Sequence, residues 1–112
     1  MLFRSSAYNA GTENEAAGGE SVNGQRGIGY GGAVYVAGGT VTLTNDVVIE
    51  NLAGRSEDTF GVTNGFGGGI FIAAGATVYI DSSTVANTVG NTDSTDTNGS
   101  TANIDGPYIL LP

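Results

Sequence analysis

The sequence predicts an all-β fold, a right-handed parallel β-helix, on three observations. These are a segment that recurs after 36 residues, three short β-type runs inside each copy, and Gly, Asn or Asp at the borders of the runs. Gly31-Gly32-Ala33-Val34-Tyr35-Val36-Ala37-Gly38-Gly39-Thr40-Val41-Thr42-Leu43-Thr44 aligns with Gly67-Gly68-Gly69-Ile70-Phe71-Ile72-Ala73-Ala74-Gly75-Ala76-Thr77-Val78-Tyr79-Ile80-Asp81, with one insertion before Thr77. The match resumes as Val48-Ile49-Glu50-Asn51 against Thr84-Val85-Ala86-Asn87. A third copy is expected to begin at Gly106-Pro107-Tyr108-Ile109, and Tyr8-Asn9-Ala10-Gly11 reads as the tail of an earlier one.

Within each copy the runs are 33–36, 40–44 and 47–50, then 69–72, 77–81 and 83–86. Each alternates or is wholly apolar over about four residues, which is a strand signature. Three strands joined by tight turns form one coil of a solenoid, each pairing in parallel with its counterpart a repeat later. The expected architecture is two complete coils, partial coils at both ends, and long polar loops over Gly11–Gly29, Ala53–Asn64 and Thr88–Ile104. No helix is expected, because Glu13–Ser21 is broken by Gly18-Gly19 and carries no apolar stripe. Residues 1–112 form a single β-helix segment, read as part of a longer repeat protein.

Alternation assigns Val34, Val36, Val41, Leu43 and Val48 or Ile49 to the interior of the first coil, and Ile70, Ile72, Val78, Ile80 and Val85 to the second. Tyr35, Phe71 and Tyr108 then point outward as an aromatic column at intervals of 36 and 37, a strip for stacking a ligand or for shielding the sheet. Asn9, Asn51 and Asn87 fall at corresponding turns, where Asn accepts left-handed backbone and bonds along a stack. Gly31-Gly32 and Gly67–Gly69 allow sharp entry into the first strand of each coil.

Charge narrows the function. With 11 acidic residues against 3 Arg and a net charge of -8, the chain repels nucleic-acid phosphates and anionic membranes. The absence of Cys excludes disulfides and thiolate metal sites, and no apolar run is long enough to span a membrane as a helix. Catalysis on a solenoid needs a base or paired carboxylates on a rigid strand face. The outward positions instead carry Thr40, Thr42, Thr44, Thr77, Tyr79 and a lone Asp81, which reads as a solvated strand end. Arg55 beside Glu57-Asp58 reads as a loop with weak surface pairs. Asp93-Ser94-Thr95-Asp96-Thr97-Asn98-Gly99, within the acidic stretch 93–105, alternates oxygen ligands as a calcium loop does. It departs from an EF-type loop, with Ser94 first and Asp105 last in place of a Glu, so a solvated loop is expected. Thr40-Val41-Thr42-Leu43-Thr44 has the alternation of an ice-binding array, but the next coil breaks it with Tyr79 and Asp81. Asn98-Gly99-Ser100 is a glycosylation acceptor only in a secreted eukaryotic protein.

Gly31-Gly32-Ala33-Val34 and Gly67-Gly68-Gly69-Ile70 resemble the repeats of chlamydial polymorphic outer-membrane proteins and related autotransporter passenger β-helices, which begin Gly-Gly-Ala-Ile and end Phe-x-x-Asn. The second half departs from that pattern, reading Val48-x-x-Asn51 and Thr84-x-x-Asn87 without Phe. The resemblance covers residues 31–53 and 67–88 and implies a secreted or surface-displayed, adhesin-like scaffold without a catalytic centre. Expected partners are glycans, host or cell-surface proteins, and further copies through exposed coil ends. No cofactor, metal or catalytic residue is assigned, and the alternative is a fragment of a carbohydrate-active, lyase- or hydrolase-like β-helix.

Overall fold

The computed structural model describes residues 2–3, 15–16, 28–54, 65–93 and 100–112. Its elements run β1 (Leu2–Phe3), β2 (Glu15–Ala16), β3 (Gly29–Tyr30), β4 (Val34–Val36), β5 (Thr40–Leu43), β6 (Val47–Ile49), β7 (Leu52–Ala53), β8 (Gly65–Phe66), β9 (Ile70–Ile72), β10 (Thr77–Ile80), α1 (Ser82–Ala86), β11 (Thr88–Val89), β12 (Thr92–Asp93), α2 (Ser100–Asn103), β13 (Ile104–Asp105) and β14 (Ile109–Leu110). The described residues are all-β apart from these two short helices.

Among the described residues every strand pairing is parallel, in five small sheets: β1-β6-β11, β2-β7-β12, β3-β8, β4-β9-β13 and β5-β10-β14. The chain visits these sheets in a repeating order, so each strand lies beside its counterpart from the previous pass. The repeat alignment of the first two strands is borne out residue for residue. Val34, Tyr35 and Val36 face Ile70, Phe71 and Ile72, and Thr40 to Leu43 face Thr77 to Ile80. Parallel stacking of like side chains fills the core with Val36, Leu43, Val48, Ile70, Ile72, Val78 and Ile80, all buried. Val34, Val41 and Val85 pack against it, half-buried. Each large aliphatic side chain removed from water contributes roughly 1.5–3 kcal/mol.

The third strand of the repeat is where sequence and structure part. Residues 83–86 are not a strand but lie in α1, because Asp81 caps that helix: its Oδ1 accepts from the Thr84 N–H at 2.8 Å. In the first pass the same corner is Thr44-Asn45-Asp46, closed in three residues by Asn45 at φ 56°. The second pass spends residues 81–86 there, three more, which together with the one-residue insertion before Thr77 pairs Val48 with Thr88 and Leu52 with Thr92. The alignment of Val48–Asn51 with Thr84–Asn87 is therefore displaced by four residues. Val85 reaches the core from a helix.

Two further expectations change. The stretch Thr88–Ile104 is not a continuous loop, since β11, β12 and α2 lie within it, and β2 falls inside the expected loop Gly11–Gly29. The third copy begins earlier than Gly106, with Ile104 and Asp105 facing Ile70 and Phe71. Gly106, at φ 118°, then turns the chain at once, so that Ile109 faces Tyr79. The expected copy at Tyr8–Gly11, with Asn9, lies outside the described residues, as do Arg4, Arg26, Arg55 and Glu57-Asp58.

Glycine is required at the entry to β4 and β9. Gly31 and Gly67 adopt φ of 66° and 63°, and a Cβ on Gly68 would sit 2.0 Å from the Thr92 carbonyl oxygen. These passes touch backbone to backbone.

Candidate functional site

The aromatic column forms in altered membership. Tyr35 and Phe71 share a register and their ring centroids lie 5.6 Å apart. Tyr108 does not join them: Ile109 opposite Tyr79 puts Tyr108 in step with Val78 in a different sheet. The missing members are Tyr30 and Phe66, which pair with each other in β3-β8. Tyr30 stacks on Tyr35 and on Phe66, each at 5.8 Å, and meets Phe71 at 4.6 Å. The left-handed turn at Gly31 folds the chain back so that Tyr30 reaches Tyr35, and Gly67 repeats the turn between Phe66 and Phe71. The signal was present in the sequence, since Tyr30 and Phe66 are 36 residues apart, as are Tyr35 and Phe71.

The result is a four-ring surface patch. Tyr35 is 53% exposed, Tyr30 is also exposed, and Phe66 and Phe71 are half-buried on the neighbouring strands. Ring pairs at these separations contribute about 0.5–1.5 kcal/mol beyond area burial, so the patch stiffens two sheets while offering Tyr faces and hydroxyls to solvent. In the third pass Asp105 takes the register of Phe71, ending the rings with a carboxylate.

A buried amide network centres on Asn91. Asn91 Oδ1 accepts from the Asn51 backbone N–H at 3.0 Å and from Asn51 Nδ2 at 2.8 Å. Its Nδ2 donates to the Val48 carbonyl at 2.8 Å and to Asn103 Oδ1 at 3.0 Å. Asn51 thus finds its counterpart 40 residues on, in Asn91. Asn87, the expected counterpart, is exposed and donates only locally, from Nδ2 to the Ser83 carbonyl at 2.9 Å. Asn51 is not left-handed either; that conformation falls on Glu50, at φ 55°, whose counterpart is Gly90.

The carboxylates serve the backbone. Asp81 accepts from the Asn45 N–H at 3.1 Å as well as from Thr84. Hydrogen bonds from the Thr84 side chain and backbone hold its carboxyl below the ordinary aspartate range. Asp93, fully buried in the position of Ala53, accepts from the Gly67 N–H at 3.3 Å. Asp105 is pushed above the ordinary range, first by burial and second by the charge of Asp93. Among the described residues no group of three or more His, Cys, Asp or Glu is placed to hold a metal. Residues 94–99 of the acidic loop, Asn98 included, lie outside them.

No family model, curated protein or solved structure matches this chain. Among the described residues no helix is long and apolar enough to cross a membrane. An open recess of about 160 Å³ is lined by Ala76, Thr77, Val78, Pro107, Tyr108 and Ile109, with no carboxylate or cation among them.

Proposed function

We propose that the chain is a segment of a right-handed parallel β-helix that acts as a non-enzymatic, adhesin-like scaffold at a cell surface or outside the cell, in the manner of the autotransporter passengers its repeats resemble. The reading of the fold rests on the all-parallel pairing and on the repeating order in which the chain visits its sheets. Right-handedness follows the steric preference of parallel crossovers. The observation that carries the functional reading is the four-ring patch of Tyr30, Tyr35, Phe66 and Phe71, in which exposed Tyr faces are held rigidly by a stacked backbone.

Aromatic faces flanked by hydroxyls suit the apolar faces and polar rims of sugar rings. The net charge of -8 favours neutral or cationic glycans over polyanionic ones. Against a lyase or hydrolase stand the engaged carboxylates: Asp81 caps a helix and Asp93 holds a backbone amide. The test is a glycan array probed with the wild type and with Tyr35→Ala, a truncation at an exposed ring. Retention of a neutral glycan by the wild type and its loss in a variant with unchanged melting supports the strip. Absence of any retention removes the glycan-binding role, and depolymerisation of a polysaccharide by the purified chain would restore the enzymatic alternative.

A further inference from the structure

The row of rings continues into a carboxylate. Asp105 on β13 stands in register with Phe71 on β9, which stands in register with Tyr35 on β4. Ile104 faces Ile70 and packs against the core, so alternation turns Asp105 outward, onto the face that carries the rings. Tyr35, Phe71 and Asp105 thus form one row across three neighbouring strands, roughly 10 Å from end to end. A further coil of the solenoid would lengthen this outward row and leave its face open.

The field at that end of the row is negative. Asp93 lies buried at the Gly67 turn between Phe66 and Phe71, and burial first and the charge of Asp93 second hold the Asp105 carboxyl above the ordinary range. The elements packed most closely on β13, β9 and α2, carry no titratable side chain. Among the described residues nothing donates a hydrogen bond to the Asp105 carboxylate and no cation faces it, whereas Asp81 and Asp93 hold backbone amides. The ionised form of Asp105 is therefore a net cost to the fold, which a bound cation relieves. The ring faces attract the same cation, since aromatic quadrupoles favour positive charge within about 6 Å of the ring centroid.

From this row we propose that the patch takes a glycan bearing protonated amino groups, a de-N-acetylated amino-sugar oligomer, with a sugar ring on Tyr30 and Tyr35 and an ammonium at Asp105. The inference rests on the sugar-binding reading of the patch above. An extended row of rings on rigid strands fits a polymer of rings with apolar faces. A peptide fits it less well, because an outward sheet face presents side chains and no free backbone groups for strand addition.

Isothermal titration with a glucosamine oligomer and an N-acetylglucosamine oligomer of equal length, at a pH where the glucosamine amines are protonated, tests this. The wild type should bind the amino form about tenfold tighter, the size of one charge-assisted contact. Asp105→Asn should bind both forms alike at the weaker affinity, and Tyr35→Ala should weaken both. Asp105→Ser replaces Asp105→Asn if circular dichroism shows a lost β signal. Glu50→Gln removes an equal charge from the exposed turn between β6 and β7 and should keep the preference. A preference that survives in Asp105→Asn, or disappears in Glu50→Gln, overturns the proposal in favour of attraction by the net charge of -8. Oligolysine of equal charge binding as tightly as the amino sugar overturns the sugar in favour of a cationic peptide. Equal binding of the two oligomers by the wild type refutes the amino group and leaves the sugar-binding patch standing, while binding of neither refutes both.

Discussion

Replacing Asn91 by Ala tests the register of the second pass directly. The side chain is wholly buried and supplies the acceptor for the Asn51 backbone N–H and the donor for the Val48 carbonyl, two groups that water does not reach. Each buried polar group that loses its partner costs about 1–3 kcal/mol, so with two such groups the truncation should remove about 2–6 kcal/mol. Against a total stability of about 5–15 kcal/mol for a domain, that is a large share. The informative control is Asn87→Ala. Sequence spacing places Asn87 in the column of Asn51, but the structure puts it on the surface with a single local side-chain bond, so its loss should cost under about 1 kcal/mol. Urea titration followed by circular dichroism reads both, and comparable m-values would show that the same surface is exposed on unfolding. If Asn87→Ala proves the more damaging of the two, the register shift created by α1 is wrong, and with it the pairing of β6 with β11.

Three further outcomes are expected. Gly68→Ala should abolish the cooperative transition, because its Cβ would lie 2.0 Å from the Thr92 carbonyl, whereas Gly38→Ala, with nothing within 4 Å, should melt close to the wild type. Glu50→Gly should raise stability by about 0.5–1 kcal/mol, since φ 55° strains a residue with a Cβ and the equivalent position is already Gly90; an unchanged urea midpoint would count against that strain. Asp105 binds its proton more tightly in the folded chain than in the unfolded one, so its ionised form destabilises above the folded pKa and the penalty fades as pH falls through that value. Asp105→Asn should therefore raise the melting temperature at neutral pH, with the gain shrinking on acidification; a gain that does not change with pH would contradict the burial argument.

Much of the candidate site could be read in the residues, and the part that could not has a local cause. Tyr35 and Phe71 were placed correctly because β4 and β9 are separated by a constant interval that period-2 alternation alone defines. Tyr30 and Phe66 obey the same interval but sit beside glycines, and a two-residue strand shows no alternation to count. Tyr108 was misplaced because Gly106-Pro107-Tyr108-Ile109 resembles Gly69-Ile70-Phe71-Ile72 as a string, while its chain path follows the turn at Gly106.

By itself the sequence determined the all-β character, the parallel pairing of β4 with β9 and of β5 with β10, and the apolar columns of those strands, because these depend on periodicity and on like packing against like. Only the tertiary structure decided how many residues each corner consumes. Asn45 closes one corner in three residues through a left-handed backbone, and Asp81 closes its counterpart in six by capping a helical turn. The longer corner brings Asn91 opposite Asn51, where its amide satisfies the backbone of the pass before it, and no periodicity in the sequence reports that distance.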